Sequence, residues 1–83
     1  MGRIIDGKDM NLVGDNVRYF RKQKKLSQRL LSEKLEIYGV YICRGSISRI
    51  EDKTRTVTDI ELFGLSKVLN VPINDFFMSL IEK

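Results

Sequence analysis

The chain has 83 residues, 15 lysines and arginines, 11 aspartates and glutamates, one cysteine and no histidine, for a net charge of +4. That length allows one domain with a modest core; a lone cysteine cannot staple it, and the missing histidine removes the usual residue for proton transfer near neutral pH and the commonest metal ligand. No apolar run approaches the roughly 18–20 residues that span a bilayer and no signal-peptide pattern opens the chain, so composition points to a small basic intracellular module rather than a metalloenzyme, a secreted disulfide scaffold or a membrane protein.

Residues 1–10, with Gly2 and Gly7, read as a flexible N-terminal arm whose Ile4 and Ile5 can still pack on the domain; residues 11–83 read as the domain. Val13, Val17 and Phe20 share one face at helical spacing, which predicts a first helix near 11–24. Ser27 stands where an N-cap belongs, ahead of Leu31 and Leu35, and predicts a second helix over about 28–36. The stretch Ile37-Tyr38-Gly39-Val40-Tyr41-Ile42 has strand propensity, but one strand without a partner is not stable, so it reads as a loop with buried apolar anchors, Tyr38 and Tyr41 partly packed on the core against the alternative that they reach DNA. A third helix is expected from Cys43–Arg44 to about Asp52, carrying Ile47 and Ile50 inward. Thr58-Asp59-Ile60-Glu61 is a capping box for a fourth helix with Leu62, Phe63, Leu65, Val68 and Leu69 on its apolar side. Pro72 suits the first turn of a fifth, with Phe76, Phe77, Leu80 and Ile81 as its apolar side.

The charge is uneven. Residues 1–50 hold eleven bases against five acids, whereas residues 51–83 hold four against six. From Arg18 to Arg29 inclusive there are six bases and no acid. Such a segment suggests a polyanionic partner, against the alternative of a merely solvated helix face. Helices 2 and 3 have the form of a helix-turn-helix: a short pair with polar residues on the second member. Ser27 and Gln28 open helix 2, where free backbone N–H groups favour a phosphate. Arg44, Gly45, Ser46, Ser48 and Arg49 decorate helix 3. Arg44 and Arg49 can each donate two hydrogen bonds to guanine, Ser46 and Ser48 can touch a base or a phosphate, and Lys53 and Arg55 lie just beyond for backbone phosphates. Cys43 reads as a half-buried small residue at a helix N-terminus, a setting that can lower a thiol pKa.

Arg21, Leu26-Ser27-Gln28, Leu31-Ser32, Leu35, Ile47-Ser48-Arg49-Ile50-Glu51 and Leu69-Asn70-Val71-Pro72 together resemble the Cro/repressor-type (XRE-like) helix-turn-helix family over about residues 13–78. The resemblance implies an all-α, compact, five-helix, lambda-repressor-like DNA-binding domain with helix 3 as recognition helix. It further implies that Gln28 sits at a phosphate or base edge, and that Arg21 and Glu51 form an ion pair between helix 1 and the end of helix 3. Two departures stand out. About five extra residues fall within Glu36–Cys43, as in a subgroup with an extended turn, and Gly45 occupies a position often filled by a DNA-contacting side chain.

The functional expectation is a cytoplasmic, sequence-specific double-stranded DNA-binding regulator. It is read as a repressor acting as a homodimer on an inverted repeat, with Phe76, Phe77, Leu80 and Ile81 at the dimer contact. The alternative is an antitoxin-like protein-interaction module that also binds DNA. An enzyme is not expected, since no nucleophile–base pair, phosphate loop or metal cluster can be assembled; nor are a cofactor, a small-molecule ligand or a membrane partner.

Overall fold

The starts of the first, second and fourth helices and the ends of all four have reasons visible in their hydrogen bonds. The structure, a computed structural model, describes residues 7–78. Among them are four α-helices, α1 (Gly14–Gln23), α2 (Gln28–Ile37), α3 (Arg44–Glu51) and α4 (Asp59–Leu69), then a 3-10 turn over Ile73–Phe77. No strand forms among the described residues.

Helix α1 starts later than its apolar spacing predicts, because Asn11 closes it from outside. The Asn11 carbonyl accepts from the backbone N–H of Val13 at 3.0 Å and of Gly14 at 2.8 Å. Its amide donates to the carbonyls of Ile50 and Arg55, stitching the start of α1 to both ends of the turn after α3. Ser27 caps α2 by accepting from Leu30 N–H at 3.0 Å, and Thr58 and Glu61 form the reciprocal capping box of α4. Four helix ends turn through a left-handed residue: Lys25 after α1, Gly39 after α2, Lys53 after α3 and Asn70 after α4. At α2 the closure is a full Schellman pair, Gly39 N–H to Glu36 and Val40 N–H to Leu35.

The core is the set the periodicity selects, with Val17, Leu31, Leu35, Ile47, Ile50, Leu65 and Leu69 all essentially without solvent contact. Fully burying such a side chain contributes roughly 1.5–3 kcal/mol each. The extended turn between α2 and α3 does supply buried anchors. Val40 and Ile42 enter the core, and Ser32 Oγ donates to the Ile42 carbonyl at 2.6 Å. Val40 reaches inward because Gly64 on α4 lacks a side chain: a Cβ there would lie 2.8 Å from Val40 Cγ2. Tyr38 and Tyr41 are not packed as expected but exposed, and so is Cys43. Of the expected apolar side of α4, Phe63 also faces outward, since Gly64 and Leu65 hold the inward positions.

The fifth element is not an α-helix. The hydrogen bonds Asp75 N–H to Pro72 and Met78 N–H to Asp75 have 3-10 spacing. The buried Asn16 amide takes the carbonyls of Phe76, at 2.7 Å, and Met78, drawing this segment onto α1. Phe76 then lies fully inside the domain, edge-on to Phe20 with ring centroids 5.8 Å apart. It is a core residue, which corrects its expected place at a dimer contact. Phe77 is half exposed; Leu80 and Ile81 lie outside the described residues.

Candidate nucleic-acid interface

A buried carboxylate orients α3. Glu51, in its last turn, is 1% exposed and is gripped by three side chains. Arg21 from α1 donates Nε to Oε2 at 2.7 Å and Nη2 to Oε1 at 3.0 Å. Gln28, the first residue of α2, donates to Oε1 at 3.0 Å, and Arg18 adds a longer bond at 3.3 Å while pairing with Asp52 at 2.8 Å. The remaining Arg21 nitrogen donates to the Leu26 carbonyl, fixing the turn into α2. One carboxylate thus sets the angle between three helices. Sequence reasoning missed Arg18 and the inward bond of Gln28; nothing in the local pattern signals either, since both partners lie more than twenty residues away.

Burial pushes the Glu51 carboxyl up, but the hydrogen bonds from Arg21, Gln28 and Arg18 outweigh it and hold the group below its ordinary 4.5. Glu61 is held low in the same way, chiefly by Arg55. Folded carboxyls with depressed pKa values are protonated later than unfolded ones as pH falls. Their stabilisation is therefore complete above the unfolded value and lost as pH drops through the folded one. Thermal melting followed by circular dichroism is expected to hold steady from neutral pH to about 5 and to fall as the pH is taken below the ordinary carboxyl value of 4.5. A melting temperature that stays level below that value would contradict this arrangement.

With Ile47, Ile50 and Glu51 turned inward, α3 presents Arg44, Gly45, Ser48 and Arg49 to solvent or its margin. These four line an open groove of about 510 Å³ together with Ser27, Gln28 and Arg29 at the start of α2. The Arg44 side chain makes no hydrogen bond or ion pair among the described residues. Arg49 Nη2 donates to Ser46 Oγ at 3.2 Å, so the guanidinium lies back along the helix over Gly45. Cys43 Sγ lies 3.4 Å from Ser46 Oγ, and hydrogen bonds to the thiolate from that hydroxyl and from the Ser46 backbone N–H lower the thiol pKa. Ser27, Gln28, Arg44, Gly45, Ser48 and Arg49 are thereby brought to one surface, with Ser46 on its flank.

Lys53 and Arg55 are not open cations. Lys53 Nζ lies 2.9 Å from Asp15 and 3.7 Å from Asp9, and these contacts raise its pKa. Arg55 binds Glu61 through two parallel bonds of 2.9 and 2.8 Å. Their expected role toward phosphates meets a physical obstacle, because each must leave a carboxylate to serve it. Asn11 and Asn16, which fasten the two ends of the domain, were not singled out in the sequence, although an asparagine ahead of a helix is itself a capping signal.

A family model described as helix-turn-helix matches residues 17–76, well over half of the chain. The chain belongs to the Cro/repressor-type (XRE-like) helix-turn-helix family. This helix-turn-helix protein is accordingly a DNA-binding domain of the transcription-regulating kind. No individual curated protein is similar enough to refine that assignment. The matched span runs from Val17 in α1 to the buried Phe76 and so contains α2 and α3. No helix among the described residues is long and apolar enough to cross a membrane, and no group of three or more potential metal ligands occurs among them.

Proposed function

We propose that the chain is a sequence-specific, double-stranded DNA-binding repressor that acts as a homodimer on an inverted-repeat operator. The observation that carries this reading is the open groove between α2 and α3, with Arg44 and Arg49 beside small residues on the outward side of α3. A helix of this width fits the major groove, and arginine in bidentate contact with guanine is its commonest specific reader. Ser48 and Ser46 supply shorter polar contacts, and the start of α2, with Ser27 and Gln28, supports a phosphate. Repression requires no more than occupancy of the operator.

One module reads only a few base pairs, so two-fold pairing with half-sites roughly 34 Å apart is proposed. Phe77 is the described residue best suited to that contact: with Met10 and Leu12 it lines an apolar groove of about 310 Å³, and all three are about half exposed. In-vitro selection from random duplexes tests the reading directly. An enriched inverted repeat supports it; recovery of unselected sequence refutes specific recognition, and sedimentation as a monomer on the recovered duplex refutes the dimer.

Arg44→Ala or Arg49→Ala is expected to weaken binding to the selected duplex about tenfold or more and to relax base preference at one position, measured by fluorescence anisotropy on a panel of single-base variants. Lys53→Ala is expected to shift all duplexes by less than about threefold, because its ammonium is already committed to Asp15 and Asp9. Equal effects from Arg49 and Lys53 would remove the distinction.

A further inference from the structure

The extended turn between α2 and α3 holds one feature that the recognition helix does not use. Val40 and Ile42 are 7% and 2% exposed, while Tyr41 between them is 76% exposed. The backbone on both sides is anchored, by Val40 beside Gly64 and by the Ser32 bond to the Ile42 carbonyl. Tyr41 is therefore a rigidly mounted aromatic with its ring in water. Holding it there requires little ordering on binding, since only two side-chain torsions remain.

Its position connects it to α3. Tyr41 lines an open pocket of about 440 Å³ with Ser32, Glu36, Ile42, Cys43 and Ser46. Ser46 is the hinge between this pocket and the groove beside it, because its hydroxyl accepts from Arg49. Tyr41 thus continues the outward surface of α3 past its first residue. A helix with its side chains is about 10–12 Å across and the major groove is about 12 Å wide, so a helix lying in the groove fills it. A side chain on the turn flanking that helix meets the groove wall, which is sugar and phosphate rather than base edges.

We propose that Tyr41 is a DNA-backbone contact, its phenol donating to a phosphate oxygen and its ring packing on the adjoining deoxyribose. This rests on the DNA-binding reading above and adds to it a contact made by the extended turn. Glu36 shares the pocket, so its carboxylate repels the same phosphate and limits how tightly the chain binds.

The test is titration of the full chain into two labelled duplexes of equal length, the selected site and its scrambled version. Tyr41→Ala is expected to weaken both about tenfold, and Tyr41→Phe to weaken both by a smaller factor, since it loses the hydroxyl and keeps the ring. Because Tyr41 is exposed, thermal melting of both variants should match that of the parent. Glu36→Gln is expected to tighten both duplexes about two- to threefold, a gain that a folding defect cannot produce. Binding by Tyr41→Ala at parental strength, a loss confined to the selected site, or weaker binding by Glu36→Gln overturns the inference while leaving the DNA-binding reading in place. If the parent chain binds neither duplex, that reading itself fails and this contact with it.

Discussion

Glu51→Ala is expected to lose about 3–5 kcal/mol of folding stability, because it leaves the Arg21 guanidinium buried without its carboxylate. Arg21 keeps only its bond to the Leu26 carbonyl, and Gln28 and Arg18 lose their shared acceptor. A domain of this size has roughly 4–12 kcal/mol in total, so the variant sits near its unfolding limit at room temperature. At about 4–8 °C per kcal/mol, melting should fall by at least about 12 °C. DNA affinity should fall with it, since the end of α3 is no longer tied to α1 and α2. Replacing both partners with apolar residues, Arg21→Met with Glu51→Leu, should recover much of the stability, because no buried charge is then left alone. A Glu51→Ala variant melting within a few degrees of the parent would show that the cluster is not what holds α3.

Gly14→Ala is the second large effect. A Cβ at this position runs into the carbonyl oxygen of Ile50 and lies 2.8 Å from Lys53 Cγ and 3.0 Å from the Glu51 carbonyl. Lysine can swing away; the two carbonyls, in the last turn of α3, cannot. Helix α1 must then back off from α3, stretching the Asn11 bond to Ile50 and the Arg21 bonds to Glu51. A loss of about 3 kcal/mol is expected, read as an earlier midpoint in urea. Gly45→Ala is the matched comparison. There a Cβ meets only the Arg49 guanidinium at 3.7 and 3.9 Å, so the change is expected to be neutral or to stabilise α3 by up to about 1 kcal/mol. Equal behaviour of the two variants would refute the close approach at Gly14.

These two glycines mark the line between what sequence shows and what it hides. Apolar spacing was sufficient to find α1 to α3 and the inward residues Val17, Leu31, Leu35, Ile47 and Ile50, because helical period alone selects a face. The box at Thr58–Glu61 was legible because all its partners are local. Gly45 drew notice as a gap on a recognition helix, yet it touches almost nothing. Gly14, which drew none, is where two backbones meet, and only the packing of distant segments reveals that. Phe76 follows the same logic. Its spacing with Phe77, Leu80 and Ile81 looks like an amphipathic helix, but Asn16, sixty residues earlier, takes the carbonyls of Phe76 and Met78 and brings the ring into the core. On the candidate interface, the outward set of α3 was readable from its buried complement. The commitment of Lys53 to Asp15 and Asp9 was not, because no periodicity links a turn to the start of the first helix.

The pairing of cations also bears on how the domain approaches its target. Arg18, Arg21, Lys53 and Arg55 each face a carboxylate, so they add little to the field felt at a distance. Lys22, Lys24 and Lys25 at the end of α1, with Arg44 and Arg49 on α3, carry charge that no ion pair among the described residues offsets. Arg44 and Arg49 line the groove between α2 and α3, while Asp59, Glu61 and Asp75 lie on later elements. On the proposed reading, the charge of Arg44 and Arg49 acts as a compass needle's tip, drawing a polyanion to the groove side so that fewer collisions are wasted on the wrong face.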